Sequence, residues 1–310
     1  MPWNKTTRRE YARHGRRYAS DVADREWALV APFLPARKKI GRPRTTDLRD
    51  VYDAILYMAS TGCQWAFAIV LEPMAVNGSL PNDFPPPSTV QRYFYDWCDS
   101  GLLWTINHHL VMEARELEGR EASPSAGVID SQSVKTTESG GVCGGACPRA
   151  GAAGPGGRRQ EDQGPQARSA WPRTDGGSRL TVTDTLGLMV GLIVHGADIQ
   201  DRDGAPELLK SIRHAFPWLR HVFADGGYAG PKLRGKLAKI GDWTIEIVIR
   251  SDTAKGFEVI PRRWVVERTF AWLNRCRRLA KDWEKTIASA EAWILIAHIR
   301  LVTRRLARYC

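Results

Sequence analysis

Three acidic residues stand where carboxylates could be gathered for chemistry. Asp130 closes the apolar run AGVID, Asp225 closes RHVFAD, and Glu267 lies in PRRWVVERTFAWLNRCRRLAKDW. In open α/β sheets ligands bind beyond the carboxyl ends of the strands, so two such aspartates converge if their strands are neighbours. Two strand aspartates and a helix glutamate make a hard oxygen site suited to Mg²⁺ or Mn²⁺, whose charge relieves the mutual repulsion of the acids. A two-metal site of this kind activates a water or sugar hydroxyl and stabilises the leaving oxygen during in-line attack on a phosphodiester. Each acid also has a plain structural role open to it. Asp130 could cap a turn, Asp225 could open the DGG turn, and Glu267 could form i, i+4 ion pairs on an exposed helix.

The elements that would position these acids are legible as two different patterns. Residues 21–118 read as helices: DREWALVAPFLP begins with an Asp able to cap, and TTDLRDVYDAILYMASTG puts Leu48, Val51, Ile55 and Met58 on one stripe and stops at Gly62. PPPSTVQRYFYDW starts a helix at Ser88, and GLLWTINHHLVMEARELEG follows after a short turn. Short helices with tight connections suit a helix-turn-helix DNA-binding module or a bundle that supports a catalytic domain. From residue 126 strands alternate with helices. AGVIDSQSV and RHVFADGGY are strand runs, RLTVTDTLGLMVGLIVH is a hairpin turning near Gly187, RDGAPELLKSIRHAF and GPKLRGKLAKI are helices, and WTIEIVI is another strand. A long helix is expected after Pro261, with Arg263, Glu267, Asn274 and Arg278 on one strip at about 100 degrees per residue. Val266, Phe270 and Leu273 form the neighbouring apolar stripe.

Forty-five Lys and Arg against 34 Asp and Glu leave a formal charge of +11, which points to a polyanionic partner. With 43% apolar residues the 310-residue chain can bury a sizeable core. Residues 1–20 read as a basic tail without an apolar leader, and the longest apolar run, LGLMVGLIVHGA, is too short to span a bilayer, so the expectation is a cytoplasmic protein with no membrane partner. The six cysteines form no dense framework, and CGGAC at Cys143 and Cys147 lacks both the C-x-x-C spacing and a second pair for zinc. His195, His214, His221 and His298 lie in strand or helix contexts and take no chemical role.

The segments GVIDSQSVKTTESGG, DTLGLMVGLIVHGADIQDRDGA, FADGGYAG and RRWVVERTFAWLNRCRRLAKDWE resemble the catalytic blocks of DDE transposases of the bacterial insertion-sequence-five family. ADREWALVAPFLP, GRPRTTDLRDV, ILYMASTGCQW and DFPPPSTVQRYFYDW resemble that family's leading domain. The resemblance implies an α/β fold, with a ribonuclease H-like catalytic domain at 126–310 preceded by an all-α, helix-turn-helix-like DNA-binding domain at 21–118. It implies that Asp130, Asp225 and Glu267 are both the catalytic residues and the ligands of Mg²⁺ or Mn²⁺. The implied activity is cleavage at the ends of an insertion sequence and joining of the freed 3′-hydroxyl to target DNA. The implied partners are the element's terminal repeats, target DNA and further copies of the chain in a synaptic complex. Arg263, four residues before Glu267, matches an Arg of the family's signature, whereas Asn274 stands where many relatives have Lys. A DNA-contacting set follows from the basic residues around these blocks: Arg42, Arg44, Arg92, Lys135, Arg263, Arg268, Arg275 and Arg278. Arg42 and Arg44 in GRPR have the character of a minor-groove segment or of a simple pre-helix loop, and RCRRLAK and RLVTRRLARY can bind phosphates.

Two stretches depart from the family pattern. Residues 66–79 intrude between CQW and LPNDFPP, and residues 144–178 replace a basic stretch of the kind Gly-Lys-Lys-Ile-Lys-Gly-Arg-Lys-Arg. Gln160 to Gln166 must be encoded CAR GAR GAY CAR GGN CCN CAR, and reading one base later permits Lys-Lys-Ile-Lys-Gly-Arg-Lys. The expectation is that residues from about 145 to 180 are out of frame between two compensating changes, forming an irregular, disordered insert in a defective copy. A DNA-binding protein without catalysis, derived from a transposase, is the alternative function, and a metal nuclease that cuts without joining is a third.

Overall fold

The computed structural model describes residues 15–36, 44–65, 80–135, 176–196, 198–248 and 263–309. Within them the chain is mixed α/β, with helices before and around a five-stranded sheet. The helical part comprises α1 (Asp24–Val30), α2 (Leu48–Thr61), α3 (Pro87–Asp99) and α4 (Leu102–Leu117). Asp47 caps α2 by accepting from the Arg49 N–H, and the helix stops where Gly62 turns left-handed at φ 70°. Asp24 is not the cap of α1. Ala23 holds that position, and the Glu26 carboxylate accepts its N–H. Nor does α3 begin at Ser88, because Pro86 and Pro87 start it, Pro87 supplying a preset φ in the first turn where no N–H is needed.

The sheet is built from β1 (Ala126–Lys135), β2 (Gly176–Asp184), β3 (Met189–Gly196), β4 (His221–Ala224) and β5 (Thr244–Ile247), in the order β3-β2-β1-β4-β5. β1, β2 and β3 are antiparallel neighbours, while β4 and β5 run parallel to β1. The expected hairpin is present, and Gly187 turns it at φ 85° with Asp184 accepting from the N–H groups of Leu186 and Leu188. Gly176 pairs with Lys135, so residues 176–178, expected in the irregular insert, are rungs of β2. The rest of the 144–178 insert, and residues 66–79, lie outside the described residues.

Two helices follow the hairpin, α5 (Asp201–Ile212) and α6 (Pro231–Ala238). The expected long helix after Pro261 is divided. α7 spans Trp264–Leu273, a 3-10 turn occupies Arg277–Leu279, and α8 spans Ile287–Leu306. Arg278 therefore leaves the strip it would share with Glu267 on a continuous helix.

One apolar cluster joins the helical part to the sheet. Trp293 of α8, 1% exposed, stacks on Phe94 of α3 with ring centroids 4.6 Å apart. His298 of α8 is wholly buried, donates from Nδ1 to Asn107 Oδ1 and accepts at Nε2 from the Met189 N–H, binding α4, β3 and α8 together. Burial lowers its pKa from 6.5 to about 3, so the ring is neutral, as a structural histidine should be.

Candidate active site

The register of the parallel strands brings two of the three acids together. Val128 pairs with Phe223, and Asp130 and Asp225 each lie two residues further on, which sets Asp225, just past the end of β4, beside Asp130 on β1. β1 continues past Asp130 to Lys135, so Asp130 sits within a strand, whereas Asp225 follows the end of β4 and caps the Gly226–Tyr228 turn by accepting from the Gly227 N–H.

Glu267 reaches the same region from α7. Arg263 lies between the acids, with Nη2 3.8 Å from Asp225 Oδ2 and Nε 3.9 Å from Glu267 Oε1. Both contacts are long, so they are charge pairs and not strong hydrogen bonds. Asp130 is half-buried and accepts from the Ser131 N–H at Oδ1. Burial, above all, pushes its carboxyl from 3.8 up to about 6; Asp225 and Glu267 add to the rise, and Ser131 and Arg263 oppose it. A divalent cation would reverse this balance, so the donor chemistry suits a hard metal ion. As they stand, however, no three His, Cys, Asp or Glu side chains among the described residues lie close enough together to hold one ion.

The basic residues separate into fold-holding and exposed groups. Arg278, expected to bind DNA, is instead buried: it donates to Glu284 Oε1 from Nε and Nη2, donates to the Cys63 carbonyl, and lies under the Trp293 ring. Arg268, also expected to bind DNA, is packed between Trp264 and Trp272 with centroid distances of 4.4 and 4.7 Å, and donates to the Leu186 carbonyl. Arg44 donates to the Pro35 carbonyl, and Arg42 lies outside the described residues. Arg92, Lys135 and Arg275 are exposed. Along α3, Arg92 is accompanied by Asp96 and Asp99, an unfavourable balance for a helix meant to approach DNA.

An acid and a phenol to which the sequence pattern assigns no role border the site. Asp201, at the start of α5, accepts from Ser131 and Ser178, and Tyr228 is buried three residues after Asp225. ADIQDRDGA carries Asp201 in plain view, but a carboxylate in a first helical turn reads as dipole compensation until the strands beside it are known.

Residues 121–302 match the family model described as "Transposase DDE domain", and residues 22–107 match one described as "Putative transposase of IS4/5 family". A relative from Burkholderia cepacia, named "Putative transposase for insertion sequence element IS402", is 36% identical over 112 residues, which are 34% of this chain and 52% of that protein. The match thus spans about half of the relative's length. No solved structure matches.

Proposed function

The chain belongs to the family of transposases with a DDE domain, and on that premise we propose that it cleaves the ends of an insertion sequence and joins the 3′-hydroxyl to target DNA. The observation that carries this reading is the placement of Asp130 on β1 and Asp225 just past the end of the adjacent parallel strand β4, with Arg263 between Asp225 and Glu267. In this proposal the sheet is ribonuclease H-like, and Asp130, Asp225 and Glu267 hold Mg²⁺ or Mn²⁺. Bound ions would supply the charge that activates the attacking oxygen and stabilises the leaving one. Arg263, paired with Asp225 and Glu267, would offer a positive charge to the scissile phosphate. Asp225 is oriented by the Gly227 N–H, and Asp130 by the Ser131 N–H. Arg92, Lys135 and Arg275 offer exposed charge to DNA, the helices at 21–118 act as the helix-turn-helix-like module, and paired ends require more than one copy.

Binding of DNA without cleavage is a second reading, favoured by one observation. The Arg263 guanidinium already pairs with both Asp225 and Glu267, and among the described residues no three such acids gather closely enough to hold one ion. The proposed out-of-frame segment would weaken DNA handling further. Both readings meet one experiment: duplexes carrying the element's own ends, sequenced from the flanks of the gene, are incubated with Mg²⁺ or Mn²⁺ and this chain or a frame-restored one. Metal-dependent nicking by either chain, abolished by Asp130→Asn, Asp225→Asn or Glu267→Gln, supports the transposase. Specific binding with no nicking by both chains refutes catalysis.

A further inference from the structure

Asp201 is outside the triad, yet one side chain links it to Asp130. Its Oδ2 accepts from Ser131 Oγ at 2.5 Å on β1, and its Oδ1 accepts from Ser178 Oγ at 3.1 Å on β2. Ser131 is the residue after Asp130, and its N–H donates to Asp130 Oδ1 at 2.8 Å. Ser131 is thereby held at both ends. Its hydroxyl proton is committed to Asp201, while its amide proton orients the Asp130 carboxylate. Tyr228, 3% exposed, closes the same corner, with its hydroxyl beside Ser131 but not in a hydrogen bond of normal geometry.

Anchoring α5 to the sheet does not require an acid. Leu208, Leu209 and Ile212 are already buried beneath that helix. A carboxylate with both oxygens given to strand hydroxyls fixes direction more than it adds stability, as partners in the outer shell of a metal site do.

We propose that Asp201 is a positioning residue that acts through Ser131 to fix the Asp130 carboxylate for metal binding. The proposal rests on Asp130 being a ligand. Mn²⁺ binding to the purified full chain, followed by electron paramagnetic resonance of the free ion, tests it with thermal melts of the metal-free protein alongside. Asp201→Asn should weaken Mn²⁺ binding roughly 10–100-fold, the range for outer-shell partners. Ser131→Ala should do the same, and the double variant should be no weaker than Asp201→Asn alone, since both break one relay. Metal-free melting should shift by no more than about 3 °C in either single variant, a loss on the order of 1 kcal/mol. Wild-type Mn²⁺ affinity in Asp201→Asn, or effects of the two substitutions that add, would overturn the positioning role. Asp130→Asn is the control that separates the two failures. If it binds Mn²⁺ like the wild type, the metal assignment itself is lost, and the positioning role with it.

Discussion

Arg278→Ala distinguishes a cation that holds the fold from one that holds DNA. The guanidinium is 2.9 and 2.6 Å from Glu284 Oε1, donates to the Cys63 carbonyl at 3.1 Å, and lies 5.2 Å from the Trp293 ring centroid. The side chains of the pair are 8% and 12% exposed, so truncation leaves a carboxylate with little water to replace its partner. Breaking a buried pair from one side costs about 3–5 kcal/mol. Ser289 Oγ still donates to Glu284, which places the expected loss at the low end, about 3 kcal/mol. At about 2–4 °C per kcal/mol for a domain of 150–250 residues, the melting temperature should fall by roughly 6–12 °C. Circular dichroism melts measure this directly. Glu284→Gln added to Arg278→Ala should recover part of the loss, because an amide needs no counter-charge. In parallel, affinity for a mixed-sequence duplex is measured against salt, where removing one phosphate-binding cation lowers the slope by about 0.9. A melt within about 2 °C of the wild type together with that shallower slope would refute the burial argument and restore Arg278 to the DNA-binding set.

Asp130→Asn should stabilise the metal-free protein above pH 6. The folded carboxyl holds its proton up to about 6 while the unfolded one releases it near 3.8, so ionisation costs stability as pH rises through that window. The variant should melt higher than the wild type at pH 7.5 and alike at pH 4, and identical melts at both would contradict the burial of Asp130. His298 has the opposite dependence: neutral in the fold down to about 3, it takes a proton in the unfolded chain below 6.5, so stability is present above 6.5 and declines as pH falls towards 3. His298→Gln should flatten the fall in melting temperature between pH 6.5 and 4, and an unchanged slope counts against the assignment. Gly187→Ala should cost about 1–3 kcal/mol, because φ is +85° and a Cβ would meet Thr269 Oγ1 at 2.9 Å. Urea unfolding with an unchanged midpoint would show that the turn relaxes at no cost.

The two strand acids were legible because apolar runs that stop at an Asp survive any choice of topology. That Asp225 comes beside Asp130, however, depends on the parallel register of β1 and β4, which pairs residues 95 positions apart and leaves no local trace. The divided helix was missed for a related reason. Glu267, Asn274 and Arg278 keep helical spacing in the sequence, but Cys276 and Leu279 are both buried, and a 3-10 turn satisfies them where a straight helix would carry Arg278 to the surface. The same turn separates the cations: basic residues in RCRRLAK look alike until packing selects Arg278 for Glu284 and Trp293 and leaves Arg275 exposed. Asp201 was hidden by the reverse effect, since its partners Ser131 and Ser178 come from two different strands and neither hydroxyl carries a sequence signal of its own.

The described residues that border segments 66–79 and 136–175 are fixed by the rest of the fold. Residues 66–79 are flanked by Trp65, which packs on Phe94 and Trp293, and by Leu80, which is 4% exposed in the core. The last pair of the β1–β2 ladder joins Lys135 to Gly176, so the two described strands are paired up to both borders of residues 136–175. Lengthening a connection costs only about 0.6 kcal/mol per doubling, so the sheet and the helical core do not depend on the sequence carried between these anchors. The proposed frame change therefore acts on a different quantity from stability. It removes a run of cations from the connection that leads into β2, and the expected loss falls on DNA affinity and its salt dependence.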